Sequence, residues 1–199
     1  NAKYDGRKLN WIGTSSRGTG LLSVLRPAPA ENLEQAKKTE LIIGATGPGS
    51  GAYQMPVIAT KMLGLKLKIV TGYEGGNSIS LAMERGEVHG RVVGTTSWVA
   101  QHSAWLKEGR LAHIIQIGPK DKKNFPNVPT LSEVVTDPGK KKLLTLLEAG
   151  PTAGWSLMMG PGVPKDRVAA VRTAFSDMVS DPEFISAMEK KAEADVDPM

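Results

Sequence analysis

The residues most able to do chemistry form a glycine-rich turn that follows a short apolar run. The run LIIG at 41–44 is typical of a buried strand, and the turn ATGPGSG leads into a helix predicted from about Ala52, with Pro56 in or near its first turn. The glycines allow a tight turn with positive φ. Free N–H groups, the helix dipole and the hydroxyls of Thr46 and Ser50 would then face one point. The turn therefore predicts a cradle for a carboxylate or a phosphate.

The same pattern recurs twice along the chain. The run LKIVT at 67–71 is closed by GYEGG before a helix that Asn77 or Ser78 can cap. The run RVVG at 91–94 leads into TTS and a helical stretch at 98–107. Strand-helix-strand alternation indicates parallel strands, which would bring the three loops to one edge of one sheet and one crevice. The alternative is three ordinary strand-to-helix turns, which use the same residue types.

Composition excludes several classes of protein. A chain of 199 residues is one large domain or two small ones, and 40% hydrophobic with 23% charged residues is ordinary for a globular protein. The sequence contains no apolar run near the ~18 residues of a membrane span. Zero cysteines exclude disulfides, thiolate zinc sites and a cysteine nucleophile. The net charge of +5 permits acidic ligands, but dispersed cations and 5% aromatic residues give no nucleic-acid platform.

The remaining patterns predict further strands and helices around a polar, proline-rich boundary at 119–129. The C-terminal third has too few strands for a sheet of its own, so it packs on the first sheet or belongs to a second domain. The predicted strands are 9–13, 21–25, 113–117 and 155–159, and the helices are 31–38, 131–135, 140–148, 165–179 and 182–194.

Two chemical alternatives start from the glycine turn. A P-loop is excluded because no lysine follows Gly49 at the required place. A dinucleotide fold stays open, since Gly47 and Gly49 open a helix, Ala52 replaces the third glycine, and Glu74 follows the next strand at the distance of a ribose-binding acid. The histidines are scattered and have no nucleophile elbow or metal-ligand spacing beside them. We therefore predict no catalytic residue, no metal and no cofactor; the histidines are His89, His102 and His113.

Several segments together resemble the substrate-binding receptors of tripartite tricarboxylate transporters, over nearly the whole chain. They are YDGRKLNWIG, GATGPGSG, VTGYEGGNSISLAMERGEVHGR, FPNVPTLSEV and GPGVPKDRVAAVRTAFSDMVSDPEF, of which the YxGG-helix-GEVxGR box and P-x-V-P-T-L-x-E are the most specific. The resemblance implies an α/β fold of the two-lobed, type II periplasmic-binding-protein kind. It also implies a periplasmic protein, with its signal peptide removed, that is not an enzyme. Such a receptor captures a small di- or tricarboxylate and delivers it to membrane permease subunits.

The resemblance also implies which residues contact the ligand. His89 stands where the box usually has Asp, and Gly94 with Thr95 stands where many relatives carry an acid, so the identity of the carboxylate stays open. The implied ligand residues are Thr46, Gly47, Gly49 and Ser50 in the first loop, Tyr73, Gly75, Gly76 and Asn77 in the second, and Thr95, Thr96 and Ser97 in the third.

The same resemblance suggests how the chain divides into lobes. The opening Asn1-Ala2 is interpreted as the remainder of a cleaved purification tag, which makes Lys3 the first native residue. Residues 1–12 would then be this remainder and a hinge-proximal part of the first lobe, and residues 13–115 a nearly complete second lobe. Residues 116–199 would be the returning C-terminal part of a first lobe whose N-terminal part is missing.

A lobe without part of its sheet would leave apolar groups uncovered. We expect Val168, Val171 and Phe175 to lie exposed and the chain to associate with itself as a dimer. The two-lobed architecture also serves transcription regulators, so an effector-sensing domain is the main alternative function. A helix-turn-helix upstream of Lys3 would favour that alternative. An NAD-dependent enzyme is the third possible function.

Overall fold

The computed structural model describes residues 5–15, 18–153 and 156–188. No helix in these ranges is both long enough and apolar enough to cross a membrane. The predicted tag remainder and the end of the last predicted helix lie outside the described residues.

The chain divides into two compact units. The larger unit is Thr19–Thr152, and the smaller one combines Asn1–Gly18 with Ala153–Met199. This division differs from the predicted lobe boundaries, because residues 116–152 pack within the larger unit and Leu131 from that segment is fully buried in its core. The assignment of these units to lobes stays a prediction.

The larger unit is built on a five-stranded sheet. Its strands are β2 Gly20–Leu25, β3 Leu41–Gly44, β4 Leu67–Val70, β5 Gly90–Gly94 and β6 Leu111–Ile117. Their order in the sheet is β4-β3-β5-β2-β6. β3 pairs in parallel with β4 and β5, whereas β2 is antiparallel to both β5 and β6. The prediction that three parallel strands bring their loops to one sheet edge is therefore confirmed.

Seven helices of the larger unit are described, and their bounds differ from the sequence prediction, most clearly at 98–107 and 138–153. The glycine turn leads into a helix that begins at Gly51 with Ser50 as its N-cap, so Pro56 lies in the second turn, near the first. The stretch predicted as one helix at 98–107 is two helices with a break at His102. The helices are α1 Leu33–Ala36, α2 Gly51–Leu63, α3 Gly76–Glu84, α4 Thr95–Gln101, α5 Ser103–Lys107, α6 Leu131–Val134 and α7 Pro138–Ala153.

Two apolar clusters cover the two faces of the sheet. Successive side chains of a strand point to opposite faces. Leu22 and Val92 accordingly pack in the cluster that includes residues of α2, whereas Leu21 packs in the other with Ile79 and Trp98 of α3 and α4. Burial on both faces explains why these strands read as continuous apolar runs.

The smaller unit pairs two antiparallel strands beneath a helix. Arg172 donates from Nε and Nη2 to the Trp11 carbonyl at 2.9 and 2.7 Å, and the Phe175 ring occupies the space where a Cβ on Gly13 would lie. These contacts attach the helix to the first strand. The elements are β1 Asn10–Thr14, β7 Ser156–Met159, α8 Lys165–Ser180 and α9 Pro182–Ala187.

The exposed apolar residues of the smaller unit are not the predicted ones. Val168 is buried at 4% exposure, and Val171 and Phe175 are partly buried, so the expectation that these three residues lie exposed is wrong. Their cover comes from within the unit, where α8 packs on β1. Trp11, Leu157 and Met158 are instead 42–47% exposed. Self-association stays a prediction.

Candidate functional site

The C-terminal edge of the three parallel strands carries a cavity of about 540 Å³. Its wall comes from the start of α3, from β5 and from α4, which follows β5 directly. Ligands of open α/β sheets bind outside the carboxyl ends of the strands, and this cavity has that location. The lining residues are Glu74, Gly75, Gly76, Asn77, Ser78, Arg91, Val93, Ser97 and Gln101.

The first turn of α3 leaves main-chain donors open at this cavity. Its N-cap residue is Gly75, which has no side chain to accept from the first turn. The Ser78 hydroxyl interacts instead with Gly75, accepting from its N–H at 3.2 Å and donating to its carbonyl at 2.8 Å. The N–H groups of Gly76, Asn77 and Ser78 thus have no hydrogen-bond acceptor in the described part of the chain. Open N–H groups at a helix N-terminus favour an anion.

A buried arginine lies directly beneath that turn. Arg91, on β5, is 1% exposed, and Nη1 donates to the Gly76 carbonyl. Nη2 lies 3.3 Å from Nε2 of His102, and the guanidinium carbon lies 5.1 Å from the centre of the Trp98 ring. Arg91 pairs with Ser23 on β2 and with Gly44 on β3 in the sheet.

Arg91 has no charged partner among the described residues. No carboxylate of that part of the chain forms a salt bridge with it, and its buried Nε has no hydrogen-bond acceptor there. Desolvation lowers the pKa of Arg91 to about 10, so the group is still a cation at neutral pH. A buried cation without an anion is unfavourable. Sequence reasoning missed this residue, and its only signal is an arginine alternating with Val93 in an otherwise apolar strand.

A cluster of rings supports the arginine from the side of α4 and α5. His102 stacks on Trp105 with centroids 4.5 Å apart and lies 5.2 Å from Trp98. Nε2 of His102 also lies 3.2 Å from the Ser80 hydroxyl, and it accepts from the guanidinium in the tautomer that carries the ring proton on Nδ1. Burial and the Arg91 charge lower the pKa of His102, while the Glu84 charge raises it. The break between the two helices thus positions His102 against a buried cation.

The eleven predicted ligand residues separate into two groups. Four of them line the cavity: Gly75, Gly76, Asn77 and Ser97. The other seven do not line it; they are Thr46, Gly47, Gly49, Ser50, Tyr73, Thr95 and Thr96.

Several of the second group have partners elsewhere. The Ser50 hydroxyl donates to the Gly47 carbonyl at 2.7 Å and does not cap α2. The Thr46 carbonyl accepts from Gly72 N–H at 3.2 Å, which ties the first loop to the second. Thr95 is buried and donates its N–H to the Thr19 carbonyl. Their roles in binding stay predictions.

Each of the three histidines has a hydrogen-bond partner within the larger unit. His89 Nδ1 accepts from the Ile42 N–H at 2.9 Å. His113 Nδ1 lies 2.8 Å from the hydroxyl of Ser23, which is fully buried and thus out of reach of a substrate. No group of three metal-ligating side chains occurs among the described residues.

Comparison with known proteins identifies the fold. No family model matches the sequence, and no curated protein matches it. Solved structures do match over nearly the whole chain, and they are solute-binding proteins. The predicted periplasmic-binding-protein-like α/β fold is therefore confirmed.

Three of the similar structures are informative. A TctC solute-binding protein from Polaromonas matches with a TM-score of 0.76 at 18% identity, over 100% of this chain and 64% of its own. A Rhodopseudomonas palustris protein with adipate matches with a TM-score of 0.65 at 18% identity, over 96% of this chain and 61% of its own. MatC from Rhodopseudomonas palustris with bound malate matches with a TM-score of 0.59 at 17% identity, over 94% of this chain and 60% of its own. The chain spans about three fifths of the length of these proteins.

Proposed function

We propose that this chain is the ligand-binding portion of a periplasmic solute receptor that captures a small di- or tricarboxylate and is not an enzyme. The observation that carries the proposal is the cavity on the first turn of α3, where open N–H groups and a buried guanidinium adjoin a space of about 540 Å³. An N–H group, a helix dipole and a cation all favour a bound anion. The volume lies in the ~300–1,000 Å³ range of small-molecule sites.

The similar structures support the choice of a carboxylate. Two of them contain adipate and malate, which are dicarboxylates of a size that this cavity could hold. In our proposal the receptor delivers its ligand to the permease of a tripartite transporter, and further chain supplies the opposite wall of the site. The ligand would be enclosed between that wall and the first turn of α3, so that occupancy changes the shape that the permease recognises.

Titration calorimetry on the full-length protein tests the proposal. The panel contains malonate, succinate, malate, adipate and citrate, with succinamide as a neutral control of nearly the same shape as succinate. We expect at least one acid to bind and succinamide not to bind. Absence of binding by every acid would contradict the proposed function, and binding of NAD instead would favour the dinucleotide alternative.

A further inference from the structure

We propose that Arg91 is the counter-charge for one ligand carboxylate, held beneath the first turn of α3, and that it makes the site selective for charge. This inference rests on the proposed function and adds to it a residue that selects ionised over neutral ligands. The residue, the cavity and the helix turn are all parts of the larger unit.

The first argument is that the arginine is incompletely partnered. A guanidinium has five N–H donors. The described chain supplies acceptors for two of its nitrogens, the Gly76 carbonyl and the His102 ring, and none for Nε. Both acceptors are neutral, so no described group balances the charge. A buried charge is stable only when it is paired and hydrogen-bonded, and a carboxylate in the adjoining cavity would supply the missing pair.

The second argument is the contact between Arg91 and Gly76. A Cβ at position 76 would lie only 2.6 Å from Arg91 Nη1, so the guanidinium lies in space that only a glycine leaves open. Through this contact a full positive charge adjoins the end of α3 whose N–H groups line the cavity. The charge and the helix dipole therefore act on the same anion.

The third argument is that the arginine is not needed to fill the core. Replacing a buried ionic group by an apolar residue of similar volume is often neutral or stabilising. The surroundings of Arg91 already include Trp98, and the rings of His102 and Trp105 extend this apolar side. A methionine could occupy the same space without a charge. A residue kept only for packing would have no reason to be cationic here.

The test compares Arg91→Met with Arg85→Met in the full-length protein. Both variants remove one positive charge, but the Arg85 side chain is 63% exposed at the end of α3 away from the cavity. The probes are the acids of the panel and succinamide, measured by calorimetry, together with the thermal unfolding of each ligand-free variant. Tryptophan fluorescence gives a second binding signal, because Trp98, one of four tryptophans, lies beside the guanidinium.

We expect Arg91→Met to weaken binding of the best acid at least 100-fold and to keep the native circular dichroism spectrum. Arg85→Met should bind within about threefold of wild type. Binding by Arg91→Met within threefold of wild type would overturn the inference and leave the proposed function standing. Loss of the native circular dichroism in Arg91→Met would also overturn it, because Arg91 would then be a structural residue.

Failure of the proposed function gives a different result. If no acid binds the wild-type protein, sulfate becomes the probe of the buried cation. Sulfate should then raise the melting temperature of wild type and of Arg85→Met by several degrees more than that of Arg91→Met, which shows only the general stabilisation by this salt. An equal response of all three proteins would overturn the role of Arg91 as a counter-charge.

Discussion

Substituting Gly76 by alanine should displace the buried guanidinium. The new Cβ would lie 2.6 Å from Arg91 Nη1, whereas ordinary contacts begin at 3.4 Å, so one group has to move by about 0.8 Å. Such a shift lengthens the hydrogen bond from Nη1 to the Gly76 carbonyl, whose complete loss would cost ~1.5–3 kcal/mol for a charged donor. The end of the arginine side chain can move while it keeps part of this bond, and the higher helix propensity of alanine offsets up to ~1 kcal/mol. We expect a net loss of at most ~2 kcal/mol in the free energy of unfolding, and weaker binding of the acid.

Gly51→Ala is the matched control, because Gly51 is the first residue of α2 as Gly76 is of α3. A Cβ at position 51 would meet only the end of the Met55 side chain, at 3.8 Å. Urea denaturation of the two variants gives the comparison. Equal stability of Gly51→Ala and Gly76→Ala would refute the close contact between Gly76 and Arg91. The contact would also be refuted if Gly76→Ala lost the same stability in an Arg91→Met background, because the guanidinium that clashes with the new Cβ is then absent.

Two further predictions concern the sheet and the histidines. Gly90→Ala should lower the free energy of unfolding by ~3 kcal/mol or more, because its Cβ would clash with the Ser23 carbonyl oxygen and the Val24 Cα, which are main-chain atoms and cannot rotate away. The control is Gly94→Ala, where the nearest atom to the new Cβ is 3.7 Å away, and it should change the stability in urea little. Equal losses in the two variants would contradict this prediction. Burial, and to a smaller extent the charge of Arg26, lower the pKa of His113 to about 4, so the folded state takes up its proton later than the unfolded state and stability should fall as pH decreases from 6.5 towards 4. Because the ring is partly exposed, we expect ~1–2 kcal/mol from this group, and His113→Asn should reduce the slope even though the other two histidines titrate in the same direction.

Local sequence patterns were sufficient to predict the edge of the sheet. Each of the three parallel strands is a short apolar run closed by glycine or small polar residues, and such punctuation depends only on neighbouring residues. The second loop lies at this edge for the same reason. Gly75, Gly76 and Asn77 form an opening of a helix that has no side-chain cap, and they line the cavity.

The features that the sequence could not reveal depend on contacts between distant segments. The pattern of residues 98–107 fits one continuous helix, and the break at His102 is seen only together with the rings of Trp98 and Trp105. Arg91 is similar, because a strand of five residues does not tell whether its arginine points to solvent or into the protein. Its burial follows from α3 and α4, which cover that face of the sheet.

The two kinds of donor at this cavity have different effects on selectivity. The open N–H groups of α3 can donate to any oxygen acceptor, so they bind a carboxylate, an amide or a hydroxyl with the same geometry. A carboxylate, however, loses far more hydration on entering the site than an amide does. Neutral donors and the partial charge of one helix compensate only part of that loss, whereas a cation in a poorly screened position adds an attraction that only an ionised ligand experiences. The charge of Arg91, rather than the shape of the turn, would therefore decide whether an acid is preferred over its amide.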